Sequence, residues 1–449
     1  MTQIASFENF GHKHILTIAI PVILSNITTP LVGLADIATI GHATLPDGVN
    51  SAAATGAVAF GSMLFSLVFG SFIFFKMGTS GFVAQAKGAG NVPEIAALLL
   101  RSLLVAIIIG LLVILLRQPV IDLIFLVSNA SADVQVLSSD YYNIRALAAP
   151  FTLMNFVILG WLMGQGRAKL GLVVQLILNF SNIALNLLFV LELNMAVEGV
   201  AWASFAAEII AFIISIAIII KLYGNHYFSR PLADILNRSQ LLRMFNVNRD
   251  ILIRSIALTL TFTWFTMQSA NMGDVTLASN AILLQIVAVF AYFLDGFATS
   301  AEVFIGQSIG AKNSKIFNRA LNLSLIWAFA MGLILAALGW FFGSMIIDFM
   351  SQDLAIRSQA KAYLFWPLII VMVGPWCYTM DGVFIGATRG ADMRNMMLIS
   401  FVTYLASWYI LVFFWGNHGQ WMAFLVMYFV RGFSLQTRMP NLRRHVFNT

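Results

Sequence analysis

The chain has one cysteine, Cys377, among 449 residues, which rules out an intrachain disulfide. Charge is scarce as well. Only 10% of residues are Asp, Glu, Lys or Arg and 60% are hydrophobic, against roughly a quarter charged in a soluble domain. Several motifs are missing. There is no His-Glu-x-x-His, no Gly-x-Ser-x-Gly and no Gly-x4-Gly-Lys-Ser/Thr in the sequence, which disfavours an intramembrane hydrolase and drive by ATP bound to this chain. The six histidines lie outside or at the edges of the apolar runs. No cleavable signal peptide is expected, because the first apolar run is too long and lacks a small-residue cleavage site. No cofactor and no metal is expected.

What is present is a series of long apolar runs. About twenty residues at 1.5 Å rise cross a hydrocarbon core of roughly 30 Å. The runs predict about twelve spans: 15–40, 53–75, 96–116, 141–163, 170–191, 200–220, 251–272, 278–304, 320–342, 363–385, 396–415 and 421–435. The expected fold class is an all-α polytopic membrane protein. With a cytoplasmic N-terminus, 21 of the 25 Lys and Arg fall on the inner side, as the positive-inside rule requires. Only Arg117, Arg357 and Lys361 are then outside, with Arg145 in the outer part of span four. Outer loops carry acids instead, among them Asp47, Asp122 and Asp133. The basic balance reads as topology and contact with anionic lipid, not nucleic-acid binding, because the charges are scattered over several loops.

The longest inner loop, residues 222–248, divides six spans from six. Two patterns recur across it at one displacement of about 222 residues. Gln85-Ala86-Lys87-Gly88-Ala89 returns as Gln307-Ser308-Ile309-Gly310-Ala311, and Gly160, Gly164 and Arg167 return as Gly382, Gly386 and Arg389. Even-numbered halves share one orientation in the membrane. The expected organisation is an N-lobe (1–221), a cytoplasmic connecting loop (222–248) and a C-lobe (249–449).

Together with the segments Pro30-Leu31-Val32-Gly33-Leu34-Ala35-Asp36 and Asp381-Gly382-Val383-Phe384-Ile385-Gly386-Ala387-Thr388-Arg389-Gly390, these features make the chain resemble the multidrug and toxic compound extrusion (MATE) family, in its DinF-like branch. The resemblance covers essentially the whole length. It implies a V-shaped pair of six-helix lobes that exports amphipathic, often cationic drugs against an inward flow of protons or sodium ions.

Asp36 is the candidate for ion coupling. It lies in the first apolar run, where a carboxylate costs roughly 2.5–3.5 kcal/mol even on the lenient insertion scale. The resemblance places the family's essential first-helix carboxylate at this position. Pro21 and Pro30 interrupt the same helix and are candidate hinges, since each removes a backbone donor. Asn179, Asn182 and Asn186 share one face of helix five, and amides can bond a carboxyl in either charge state. By resemblance Asn182 and Asn186 face the first-helix Asp, and with Asn186 in place of a second acid a two-carboxylate site is not expected in that lobe. Asn155 and Ser204 are further candidates for this N-lobe group, and Asp295 for lining a C-lobe cavity. Glu208, Glu302 and Asp381 are open between functional and structural roles, Glu302 and Asp381 being expected near the inner surface.

The reading is a secondary multidrug antiporter, not an enzyme, in a bacterial-type inner membrane with both termini cytoplasmic. Its expected partners are small-molecule drugs, H+ (or Na+) and the lipid bilayer, with no nucleic acid, and it is expected to be a monomer. The rival within transport is a lipid-linked oligosaccharide flippase. Its pyrophosphate cargo calls for several buried Arg or Lys, whereas nearly every basic residue is expected at the inner surface; Arg101, Arg254 and Arg431 fall at the inner ends of their predicted spans, and only Arg145 lies in an outer part. A membrane receptor or scaffold is the alternative of another class.

Overall fold

Residues 10–43, 50–126, 131–228 and 230–447 are described in a computed structural model. Asp47 lies outside the described residues, which hold no β-strand. The spans are α1 (His12–Gly41), α2 (Ser51–Gly88), α3 (Val92–Phe125), α4 (Ala132–Leu147 and Ala149–Gly164), α5 (Ala168–Glu192), α6 (Ala196–Tyr223), α7 (Arg238–Asn271), α8 (Asp274–Gly310), α9 (Ser314–Met350) and α10 (Leu354–Gly386). The last helix, Gly390–Phe447, is broken at Gly416 (φ 52°, ψ −128°) into α11 (390–415) and α12 (417–447). That makes twelve spans among the described residues, six on each side of the connecting segment. The two parts of α4 meet at 54°. Pro150 sits at this junction, where its ring cannot accept the preceding helical turn.

Two boundaries differ from expectation. The connecting loop is shorter, because residues 238–248 already form the first turns of α7. Their polarity hid them from a hydropathy reading. The helix begins where the Asn237 side chain accepts from the N–H groups of Ser239 and Gln240, satisfying donors that a helix start leaves free. α2 continues past residue 75 to Gly88 for the same reason, its last turns being polar and buried inside protein.

The repeat persists in the backbone. Gly90 and Lys312 both have positive φ (67° and 50°), as do Gly166 and Thr388 (69° and 53°). Asn91 and Asn313 each cap the following helix through Oδ1, to Glu94 N and Ile316 N, at 3.1 Å. In the N-lobe Gly160 and Gly164 of α4 lie against Lys76 and Ser80 of α2; in the C-lobe Gly382 and Gly386 of α10 lie against Ala298 and Glu302 of α8. Glycine is needed here because a Cβ would strike the facing backbone carbonyl. In lipid, close approach of this kind replaces the hydrophobic drive that holds soluble helices together.

α1 belongs to both lobes. Its N-terminal half packs on α8: Ser300 Oγ donates to Ile15 O (3.0 Å), Gly296 faces Ala19 and Ile23, and Asn26 Nδ2 donates to Asp295 Oδ2 (3.0 Å). Ile15, Ile18 and Val22 join a core with Phe297, Phe304 and Val383 of the C-lobe. Its C-terminal half instead bonds to α5 of the N-lobe, from Thr28 onward. The change of partner falls between Asn26 and Thr28, with Pro21 and Pro30 on either side.

Candidate functional site

The C-terminal half of α1 brings Asp36 to the polar face of α5. Asp36 is buried, and its Oδ1 accepts from Asn186 Nδ2 at 2.6 Å. One turn earlier Asn182 Nδ2 donates to Ser204 Oγ of α6 at 2.7 Å. Two turns earlier Asn179 Nδ2 donates to Thr28 Oγ1 of α1 at 2.9 Å. One turn beyond Ser204 on α6, Glu208 accepts at Oε2 from Asn155 Nδ2 of α4 at 2.7 Å. The helical spacing of 179, 182 and 186 and of 204 and 208 makes these contacts possible, since i+3 and i+4 residues share a face. α1, α4, α5 and α6 thus enclose one buried polar group, to which Asp36, Asn155, Asn179, Asn182, Asn186 and Ser204 all belong.

Arg145 of α4 acts electrostatically on both Asp36 and Glu208. Its guanidinium lies 3.8 Å from the centroid of the Phe65 ring, and Tyr141, one turn away, shares a hydrogen bond with Ser62 (3.0 Å). Among the described residues, the amide oxygens of Asn155, Asn182 and Asn186 are buried without a hydrogen-bond partner. A buried acceptor left so costs free energy, so this wall is suited to a donor or a cation.

The structure corrects several expectations. The N-lobe holds two buried carboxylates, not one, because Glu208 joins the group; nothing in an apolar stretch of α6 announced its partner. Asp295, a candidate for a C-lobe cavity, bonds to Asn26 at the seam between the lobes. Glu302 is buried, facing Ser80 and Lys76 of α2. Asp381 is likewise buried, paired with Arg254 of α7 (2.6 Å) and with Arg431 of α12. Both arginines were expected at the inner surface, yet both are buried. Arg101 is buried too, bonded to Glu94 and to the carbonyls of Asp234 and Ile235. Among the described residues no group of His, Cys, Asp and Glu side chains is arranged to hold a metal.

Sequence comparison decides the lineage. The MatE family profile matches residues 21–188 and 250–410, once in each half. The chain belongs to the MATE family. DNA damage-inducible protein F of Escherichia coli (strain K12) is 35% identical over 431 residues, covering 96% of this chain and 92% of that protein. A probable multidrug resistance protein NorM of Acinetobacter baylyi is 20% identical, over 90% of this chain and 88% of that one. A solved multidrug resistance MATE transporter of the MOP superfamily, in an outward-facing conformation, superposes with a TM-score of 0.85 at 19% identity, over 99% of both chains. This MATE protein is therefore a multi-pass membrane transporter, with the two-lobe helical fold that its own repeat predicts.

Proposed function

We propose that this MATE protein is a secondary exporter of amphipathic, cationic compounds in a bacterial inner membrane, that it exchanges them for protons, and that Asp36 is the coupling carboxylate. The observation that carries this reading is the Asp36–Asn186 bond at 2.6 Å inside a buried polar group. A carboxyl held by a neutral amide can gain or lose a proton without breaking an ion pair, since the amide bonds either form. The multidrug name of a relative supports the substrate class. Sodium is the second reading, favoured by the three unpartnered amide oxygens, since hard cations take oxygen ligands. Proteoliposomes separate the two. A pH gradient at equal sodium is expected to drive efflux of a cationic dye, and a sodium gradient at equal pH is expected not to. Export that follows only the sodium gradient, or that needs ATP after both gradients collapse, refutes the proposal.

α1 supplies the mechanical link. Its outer half carries Asp36 on the N-lobe and its inner half is packed on α8 of the C-lobe, so a bend between them changes how the lobes meet. Pro21 and Pro30 remove backbone donors on either side of the changeover, which lowers the cost of bending. Protonation of Asp36 replaces a charge-assisted bond from Asn186 with a neutral one, roughly half as strong. The helix is then free to bend and to reshape the N-lobe cavity. Spin-label distances along α1 are expected to differ between low and high pH in the wild type and to be fixed in Asp36→Asn. Identical distances at both pH values in the wild type would exclude the bend.

A further inference from the structure

The duplicated inner-end motif takes no part in the Asp36 group, and its contacts run between the lobes. Gln85, at the end of α2, donates from Nε2 to Gly386 O of α10 (2.9 Å) and to Thr388 Oγ1 (3.2 Å). Gln307, at the end of α8, donates from Nε2 to Gly164 O of α4 (3.2 Å). Gln85 and Gln307 are repeat mates, and so are Gly164 and Gly386. Each lobe therefore grips the same carbonyl of the other, the arrangement of a two-fold contact in which i meets j and j meets i. The backbone repeats this reciprocity. Gly88 lies against the Gln307 carbonyl and Gly310 against the Gln85 carbonyl, each too close to admit a Cβ.

The two gripped carbonyls belong to helix ends. After Gly164 and Gly386 the chain turns through Gly166 and Thr388 at positive φ, and the N–H groups of the turn go to Trp161, Met163, Leu162, Val383, Ile385 and Phe384. The turn thus passes over the Gly164 and Gly386 carbonyls, which helix ends commonly leave to an outside donor. Here the donor comes from the opposite lobe.

We infer that Gln85 and Gln307 are positioning residues of the transport cycle, forming a two-point latch that closes the cytoplasmic side of the passage between the lobes. The latch rests on the transport reading but is independent of the coupling ion. Inward opening releases both glutamines together, since the repeat relates them. The points are unequal: Arg243 of α7 braces only the first, with Nη2 at 3.4 Å from Gln85 Oε1 and 3.3 Å from Thr388 Oγ1.

The test measures distance and needs no cargo. The full chain, with Cys377→Ala, carries spin labels at the exposed repeat mates Lys169→Cys and Ala391→Cys and is placed in nanodiscs. Gln85→Met and Gln307→Met keep the length of the side chain and remove its donor, without adding a charge beside Arg243. One net hydrogen bond corresponds to roughly a fivefold change in a two-state equilibrium. Each substitution is thus expected to lower the closed-to-open ratio about fivefold, and both together roughly 25-fold. Should these variants fail to fold, Gln85→Ala and Gln307→Ala give the same reading. An unchanged distance distribution in a folded double variant overturns the latch. So does a lowered melting temperature without a shift in distance, which would make the glutamines structural. A chain that exports nothing in any form would refute the transport reading, yet its distances would still report the latch.

Discussion

Asp36→Asn is expected to reduce drug export to the level of cells lacking the protein, while the variant folds and inserts normally. Two effects compete. Removing a charge that couples an ion should stop the cycle. Removing a buried bond could also unfold the protein and produce the same loss. The geometry separates them. Asn186 Nδ2 donates to Asp36 Oδ1, and the oxygen of an introduced amide can accept that bond in place of the carboxylate. The carboxylate itself costs roughly 2.5–3.5 kcal/mol in a membrane helix, so its neutralisation relieves a penalty that exceeds the roughly 1 kcal/mol separating a charged from a neutral hydrogen bond. Stability should therefore hold and transport should not. Resistance and dye efflux at matched expression measure it; wild-type resistance in the variant would remove Asp36 from the mechanism.

The parts of this molecule that were legible in the sequence are those set by the bilayer. Uninterrupted apolar runs fixed the number of helices, and one constant displacement revealed the repeat that later reappears in the positive φ of Gly90, Lys312, Gly166 and Thr388. Asp36 stood out because lipid makes any carboxylate conspicuous, and the asparagines of α5 because their spacing puts them on one face. Partners were less legible. Glu208 was visible as an acid, but its bond to Asn155 joins residues 53 apart. The latch joins residues 301 and 143 apart, so the motif was readable and its contact was not. Charge was misread for a different reason. Arg254 and Arg431 fall near the middles of α7 and α12, helices whose polar extensions a hydropathy reading cut short, and the positive-inside rule does not say whether a residue faces headgroups or a protein interior.

The same burial makes the C-lobe triad the place where one substitution should do most harm to stability. Asp381 accepts from Arg254 at 2.6 Å and also from Arg431, and all three are buried. The Nε groups of both arginines already lack a partner among the described residues, so Asp381 is the anion that compensates the pair. Removing one member of a buried ion group costs roughly 3–5 kcal/mol, because the opposite charge remains in place without an ally. Asp381→Ala leaves two such charges and should fall at the upper end, lowering the melting temperature by about 5 °C or more. Arg254→Leu leaves Asp381 with Arg431 and should cost less. Replacing all three together by apolar residues of similar volume should recover most of the loss, because no charge is then stranded. Thermal unfolding of the purified variants in one detergent checks the order. If Asp381→Ala melts with the wild type, water reaches the arginines. If the triple variant is the least stable, the triad contributes through its attraction and not merely by avoiding unpaired charge.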